Sequence, residues 1–335
     1  MVVNSGMLDI IMSQPTSTRS ITLYLMGMWG KTGINCFVLI TGWFMCKKHI
    51  TAHKFFKLLL WVMFYNFVIA LTFQLTGYSD YSIKDLLWAT LPVKSITDDF
   101  IGCYLLFYLF IPFLNKMIDN MNGKEHALLV IICLFTYTLL PTFHIKITFN
   151  YVTWFCILYL IASYLRLYPI PQQNNIKLWS KATIILMLLA SASVVGLIYF
   201  NVNRGVDTSI VRIYQLVHDS NRLFAVLIAV SSFLMVINIK MRHSHIINTI
   251  SASTFGVLLI HANSDSMRQW LWKDACDMCG HYYSPEFFAY IIIIPIVIFT
   301  GCILIDHIRL ILLEKPALRV VDKTYSVVRT RLLNF

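Results

Sequence analysis

Nine stretches of this sequence are each predominantly apolar over 17 to 23 residues, and they constrain the fold more than any other feature. The hydrocarbon core of a bilayer is about 30 Å thick, and a helix needs roughly 20 apolar residues to cross it. The sequence therefore predicts an all-α fold, a polytopic transmembrane helical bundle of about nine spans, since lipid leaves no partner for unpaired backbone groups. The predicted spans are 24–46, 55–75, 101–118, 127–143, 152–168, 182–200, 223–239, 246–262 and 286–305.

The composition agrees with exposure to lipid. Hydrophobic residues make up 58% of the 335 residues and charged residues 13%, whereas soluble domains average about 45–50% and about 25%. A single core cannot bury so much apolar surface, so a soluble enzyme and a disordered chain are excluded. The sequence contains no P-loop, G-x-G-x-x-G or H-E-x-x-H motif and no basic amphipathic stripe, so nucleic acid is not expected as a partner.

The loop charges predict the orientation in the membrane. Formal charges sum to +12 over the segments that follow the odd-numbered spans, and to −2 over the others. Because Lys and Arg concentrate in cytoplasmic loops, we expect the N-terminus outside and the C-terminus in the cytoplasm. The first 23 residues lack the pattern of a signal peptide. The predicted organisation is a short extracytoplasmic segment (1–23), a transmembrane domain (24–313) and a basic cytoplasmic tail (314–335).

Five segments resemble, in order, the motifs of one family of membrane enzymes. They are WGKTGINCFVLITGWF at 29–44, KFFK at 54–57, GCYLLFYLFIPFLNKM at 102–117, FCILYLIASYLRLY at 155–168 and INTISASTFGVLLIHAN at 247–263. Together they resemble the membrane-bound acyltransferase-3 family, the polytopic O-acyltransferases that modify bacterial surface glycans. In the KFFK segment, Lys54 and Lys57 stand where the family has Arg.

The resemblance implies an O-acyltransferase, with O-acetyl transfer expected, in the bacterial inner membrane. The donor would be cytoplasmic acyl-CoA, acetyl-CoA in the simplest case, and no metal is expected. The acceptor would be a cell-surface polysaccharide or a lipid-linked glycan. The alternatives are a polysaccharide exporter and an inactive, truncated homologue.

One family feature is missing from this sequence. The first helix of the family carries an Arg and then a His that is taken as the catalytic base. Residues 1–23 contain only one basic residue, Arg19, and no His precedes His49. We therefore expect this helix to be absent and the 335-residue chain to show little or no activity, unless another His serves as the base. His261, at the outer end of the eighth span, is the preferred candidate.

Four lysines on the first cytoplasmic loop are candidates for holding the donor's phosphates. Lys54 and Lys57 lie three residues apart at the start of a predicted helix, which places them on one face. Lys47 and Lys48 would widen the same basic patch. The alternative is that all four only anchor the loop in the cytoplasm. Lys also lacks the bidentate fork with which Arg binds phosphate.

Three residues on the outer side are candidates for binding the acceptor. Lys31 lies one turn inside the first span, where a charge marks a functional site by default, although it can also snorkel outward. Asn35 follows four residues later on the same face, and it either binds substrate or cross-links helices. Asp99, with Asp98 before the third span, either binds sugar hydroxyls or is a solvated loop charge.

Cys276, Cys279 and His281 have the residue types of a zinc site but not its full pattern. Three ligands within six residues, without a second cluster, are a weak signal for zinc. An extracytoplasmic disulfide is also compatible with the pair. The sequence therefore favours a coincidental spacing.

Overall fold

The apolar stretches form helices. A computed structural model describes residues 6–48, 50–92 and 100–311, and in this part of the chain every regular element is a helix. The α-helices are α1 Met7–Ser13, α2 Thr18–Gly27, α3 Gly30–Met45, α4 Ala52–Leu75, α5 Ile83–Thr90, α6 Phe100–Asp119, α7 Gly123–Leu134, α8 Leu140–Thr142, α9 Tyr151–Leu167, α10 Ile176–Asn203, α11 Ile210–Ile213, α12 Leu223–Ile237, α13 His245–His261, α14 Asp265–Gln269 and α15 Phe287–Arg309. Two π-helical segments, Phe135–Leu139 and Trp270–Ala275, and the 3-10 helix Gly280–Tyr283 complete the set.

Each of the nine predicted spans is helical over most of its length, which confirms the all-α membrane fold. Within the described residues, six helices are long and apolar enough to cross a bilayer, counting Thr18–Met45 as one. A seventh results if α13 and the segment 265–275, bent by 94°, form one span. Helices α9 and α12 have 17 and 15 residues, or about 25 Å or less. The predicted count of nine is therefore not confirmed.

The helices divide into two compact units. Unit 1 comprises Met1–Ile50 and Leu106–Met241, and unit 2 comprises Thr51–Leu105 and Arg242–Phe335. Part of the predicted N-terminal segment is helical and contributes to the core, since Met7 and Ile11 are buried. The predicted tail, 314–335, lies outside the described residues.

In unit 1, helices α3 and α9 pack side by side and run in the same direction. Lys31 bonds Tyr151 at one end of the pair, and the Arg166 guanidinium lies over the Trp43 ring at the other. Between these contacts, a Cβ on Gly42 would lie 2.8 Å from the Cβ of Ala162. Only glycine permits this approach, as at other small-residue contacts between membrane helices.

Helix α12 runs parallel to α3 on another side. The Asn35 amide reaches the first turn of α12 at the Ala225 carbonyl, and Trp43 packs edge-on against Phe233 near its end. Helices α3, α9 and α12 are the first, fifth and seventh predicted spans. If successive spans alternate in direction across the membrane, all odd-numbered spans run the same way, and these three do.

In unit 2, helices α4 and α13 run in parallel and α15 runs opposite to them. Trp61 lies beside Phe255, and the Asn263 amide donates to Asn66 Oδ1 at 2.8 Å. Arg309 contacts Trp61, whereas Asp306 contacts Tyr65 one turn further along α4. The second and eighth predicted spans therefore share one direction and the ninth has the other.

The end of the ninth span differs from the prediction. The predicted ninth span ends at residue 305, and the loop-charge sum counts Asp306 beyond it, but α15 continues to Arg309. Asp306 is 0% exposed and Arg309 5% exposed. The two charges cancel, so their burial leaves the sum of loop charges unchanged.

Candidate functional site

Asn35 is the centre of a buried polar cluster in unit 1. Its amide nitrogen donates to the carbonyls of Ser220, at 2.6 Å, and Ala225, at 3.3 Å. Its oxygen accepts a hydrogen bond from the Trp154 indole at 3.0 Å. The side chain is fully buried and ties α3 to α9 and to the loop before α12. This geometry favours the helix cross-link over substrate binding as the role of Asn35.

Lys31 lies one turn before Asn35 on the same face of α3. Its ammonium donates to the Tyr151 hydroxyl at 2.5 Å and lies 5.1 Å from the centre of the Tyr151 ring. The side chain is half-buried. Lys31 is therefore held by Tyr151 at the entrance of the helix pair rather than extended into solvent.

The loop that precedes α12 brings a histidine and a carboxylate into this cluster. The Nδ1 of His218 lies 3.2 Å from Asp219 Oδ1, and their side chains are 30% and 35% exposed. The Arg222 guanidinium lies 3.8 Å from Asp219 Oδ2. The hydrogen bond from His218 is the main cause that lowers the pKa of Asp219. Burial opposes that effect, and the charges of Lys31 and Arg222 add to it.

Two further hydrogen bonds attach this loop to the helical residues that follow α7. The Asn221 amide donates to the Tyr137 carbonyl at 2.7 Å, and the Arg222 guanidinium donates to the Pro141 carbonyl. Tyr137 lies in the π-helical segment Phe135–Leu139, and Pro141 lies in the short helix α8 that follows it. The loop bearing His218 and Asp219 is thus attached to α3, through Asn35, and to the helical residues after α7.

The His218–Asp219 pair has the arrangement of a general base and its orienting group. With Nδ1–H donated to the carboxylate, Nε2 carries the lone pair that can accept a proton. The carboxylate then stabilises the imidazolium that forms. Both side chains are accessible, so a hydroxyl can approach the ring. The sequence places both residues on an outer loop, but nothing in it shows that Lys31, 187 positions earlier than His218, lies nearby.

His261, the base predicted from the sequence, is the last residue of α13 in unit 2. Its Nδ1 lies 2.6 Å from the Val257 carbonyl of its own helix. A backbone carbonyl orients the ring but carries no full charge to stabilise an imidazolium. His261 remains a predicted base with weaker electrostatic support than His218. Asp98 and Asp99 lie outside the described residues.

The four predicted donor-binding lysines lie at helix ends. Lys54 and Lys57 are the third and sixth residues of α4, so they share the face that the sequence predicts. Lys57 stacks over Trp61, with 5.1 Å between its Nζ and the ring centre, and Lys54 is exposed. Lys47 and Lys48 are exposed in the turn after α3.

The three residues with zinc-ligand chemistry form no metal site. Among the described residues, no group of three or more His, Cys, Asp or Glu side chains is placed to hold a metal ion. His281 instead stacks on the Tyr290 ring with 3.9 Å between centres. Cys276 and Cys279 form no disulfide with each other.

An ion pair inside unit 2 is a feature that loop-charge counting missed. Arg309 Nε donates to Asp306 Oδ1 at 2.9 Å, and the Tyr65 hydroxyl donates to the same oxygen at 2.6 Å. The guanidinium lies 4.2 Å from the centre of the Trp61 ring. Ionisable groups buried among membrane helices are costly and mark functional sites by default.

Comparison with known families identifies the enzyme class. A family model described as an acyltransferase domain, of the acyltransferase-3 type, matches residues 1–307. The chain belongs to the acyltransferase-3 family. The matched domain assigns this acyltransferase-3 protein to the acyltransferases. Its apolar helices are those of a multi-pass membrane protein. Searches of curated proteins and of solved structures find no significant match.

Proposed function

We propose that this protein transfers an acyl group, in the simplest case acetyl, from cytoplasmic acyl-CoA to a hydroxyl of a cell-surface or lipid-linked polysaccharide. The observation that carries the proposal is the His218–Asp219 pair in the polar cluster with Lys31. Acyl transfer requires a group that takes the proton of the attacking hydroxyl. This pair supplies such a group within the present chain.

In the proposed reaction, His218 Nε2 accepts the hydroxyl proton while the hydroxyl oxygen attacks the thioester carbonyl. A new C–O bond forms, the C–S bond breaks, and the proton passes from the imidazolium to the CoA thiolate. Asp219 keeps the ring oriented and its positive charge stabilised. The Lys31 ammonium and the Tyr151 hydroxyl are the donors in the cluster that would stabilise the oxyanion.

Donor binding is proposed for Lys47 and Lys48 of unit 1, at the opposite end of the first span from Lys31, and for Lys54 and Lys57 of unit 2 on the basis of the sequence. Lys31, in the first turn of α3, and Lys47, in the turn after the helix, are 16 positions apart, which corresponds to about 24 Å along the helix axis. Lys54 and Lys57 follow at the N-terminal end of α4, where the helix dipole adds to their attraction for phosphate. In the proposed orientation, the lysines lie in the cytoplasm and His218 faces outward. The acyl group is then passed across the membrane.

A polysaccharide exporter is the second candidate, and the buried Asp306–Arg309 pair favours it. Carriers place charged groups inside the membrane and use interrupted helices. The 94° bend after α13 provides one such interruption. The acyltransferase proposal is preferred because the domain match covers 1–307.

The two functions are separated by one reconstitution. Purified protein in proteoliposomes is supplied with radiolabelled acetyl-CoA and with glycan extracted from the cells that produce the protein. The proposal expects radiolabel in the glycan that mild alkali releases, because O-acyl esters are alkali-labile. Movement of glycan across the vesicle membrane without incorporation of radiolabel would instead identify an exporter.

A further inference from the structure

Unit 1 contains an apolar groove beside the His218 loop. The groove lies among α7, the π-helical segment, α9 and α12, and its volume is about 360 Å³. Such a volume falls within the range of ligand sites, about 300–1,000 Å³. Its walls are almost entirely aliphatic, and they include Leu134, Leu139, Ile161, Leu223, Leu227 and Val230.

One polar group inside the groove has no partner. Thr138 lines the groove, is 3% exposed, and its Oγ1 makes no hydrogen bond within the part of the chain that the structure describes. Leaving a buried hydroxyl unpaired costs about 1–3 kcal/mol. Thr138 belongs to a π-helical segment, an element that is frequent at functional sites. A ligand oxygen that reaches this wall of the groove would supply the missing partner of the hydroxyl.

The mouth of the groove is joined to the charged cluster. Groove residues Thr138 and Leu223 directly follow Tyr137 and Arg222 in the chain. The Tyr137 carbonyl accepts a hydrogen bond from Asn221, and the Arg222 guanidinium donates one to the Pro141 carbonyl. The buried Nε of Arg222 has no partner among the described residues. Among the described residues, the groove wall itself contains no charged side chain, and Arg222 is next to the groove residue Leu223 along the chain.

We propose that this groove binds a single-chain lipid phosphate, with the hydrocarbon chain in the groove and the phosphate at Arg222. The volume of about 360 Å³ lies near the lower end of the range of ligand sites, so the proposal assigns one hydrocarbon chain rather than two. The two positive charges of Arg222 and Lys31 exceed the one negative charge of Asp219, so the cluster beside the groove attracts an anion. Resting on the proposed function, this assigns the acceptor as a lipid-linked glycan, held by its anchor beside His218.

The first test is photo-crosslinking with farnesyl phosphate that carries a diazirine, using the full-length protein in detergent. We expect the label on peptides of α12 and the π-helical segment, and competition by farnesyl phosphate but not by phosphatidylglycerol. Farnesol should compete less well, because it lacks the phosphate. Equal labelling of all lipid-facing helices, with equal competition by phosphatidylglycerol, would show that bulk lipid fills the groove and would overturn the proposal.

Two variants sharpen the result. Leu227→Trp fills the groove at a side chain that is 40% exposed, and Ile184→Trp is the matched control on α10, at 58% exposure. We expect Leu227→Trp alone to abolish the labelling. Thr138→Val keeps the shape and removes the hydroxyl, so labelling should fall about three- to tenfold, as for one hydrogen bond. Higher thermal stability of Thr138→Val with unchanged labelling would contradict the proposal.

The crosslinking needs no turnover, so it separates the two proposals. His218→Gln should keep the labelling while losing transferase activity. A protein that is labelled in the groove but never transfers acetyl would refute the proposed function and leave the lipid site standing. A protein that transfers acetyl without labelling would refute the lipid site alone.

Discussion

Gly256 of α13 faces the carboxylate of Asp306 so closely that a Cβ on residue 256 would lie 2.1 Å from Asp306 Oδ1. The carboxylate cannot easily retreat, because Tyr65 and Arg309 both bond that oxygen. The absence of a side chain at Gly256 is therefore what lets α13 and α15 pack around the buried ion pair.

The first prediction is that Gly256→Ala destabilises the protein by about 1–3 kcal/mol, the usual effect of overpacking. Gly301→Ala is the matched control, since it lies in α15 with open space around its Cα. Replacing a helical glycine there should stabilise slightly. The comparison is made by thermal unfolding in detergent. Equal unfolding temperatures for the two variants would contradict the packing account.

The second prediction concerns acid stability. The pKa of Asp219 lies below its ordinary value of 3.8 in the folded protein. Its carboxylate therefore contributes stability that is complete above that value and is lost as the pH falls through the lowered folded pKa. The stability difference between wild type and Asp219→Asn should therefore shrink as the pH falls below about 4.

Thermal unfolding from pH 7 to pH 3 measures that difference. Asp265→Asn is the control, because the Asp265 side chain is 93% exposed and exposed ion pairs contribute little. A difference between wild type and Asp219→Asn that stays constant between pH 4 and pH 3 would show that the His218 bond does not favour the ionised carboxylate.

The third prediction is that Lys54→Gln with Lys57→Gln raises the KM for acyl-CoA about tenfold, through loss of charge-assisted bonds to phosphate. Folding and kcat should be retained, because neither lysine is buried. The control is Lys177→Gln with Lys181→Gln, two exposed lysines on α10. An unchanged KM in steady-state kinetics would leave Lys54 and Lys57 as topological anchors.

The fourth prediction is that residue 83 faces outward and residue 174 faces the cytoplasm, as the loop charges require. Ile83 is 83% exposed and Asn174 is exposed, so a cysteine at either position will be accessible to reagents. An impermeant maleimide applied to intact spheroplasts should label Ile83→Cys but not Asn174→Cys, relative to wild type. The reverse pattern would invert the topology.

The long apolar helices were predictable from the sequence because local hydrophobicity marks them. The Asp306–Arg309 pair was not, because counting loop charges treats any charge beyond an apolar run as solvated. Helix α15 continues past that run because Tyr65 and Trp61 of a distant helix stabilise the two charges. Only the tertiary structure contains that information.

The candidate site was predictable in part. Lys31 and Asn35 stand out as polar residues within an apolar span, and the structure places both in one cluster. His218 and Asp219 are visible as neighbours but resemble any polar loop. Their significance depends on the charges of Lys31 and Arg222, and Lys31 is 188 positions away from Asp219 in the sequence.

The central claim is that His218, oriented by Asp219, takes the proton of the acceptor hydroxyl. The most direct test is the kcat for transfer of radiolabelled acetyl from acetyl-CoA to glycan, measured for wild type, His218→Gln and His261→Gln. His144→Gln is the control at an exposed histidine of unit 1. We predict that His218→Gln lowers kcat by about 10²–10⁴-fold, the usual contribution of a general base, with the KM for the donor unchanged. Wild-type kcat in His218→Gln, or a loss confined to His261→Gln, would contradict the account.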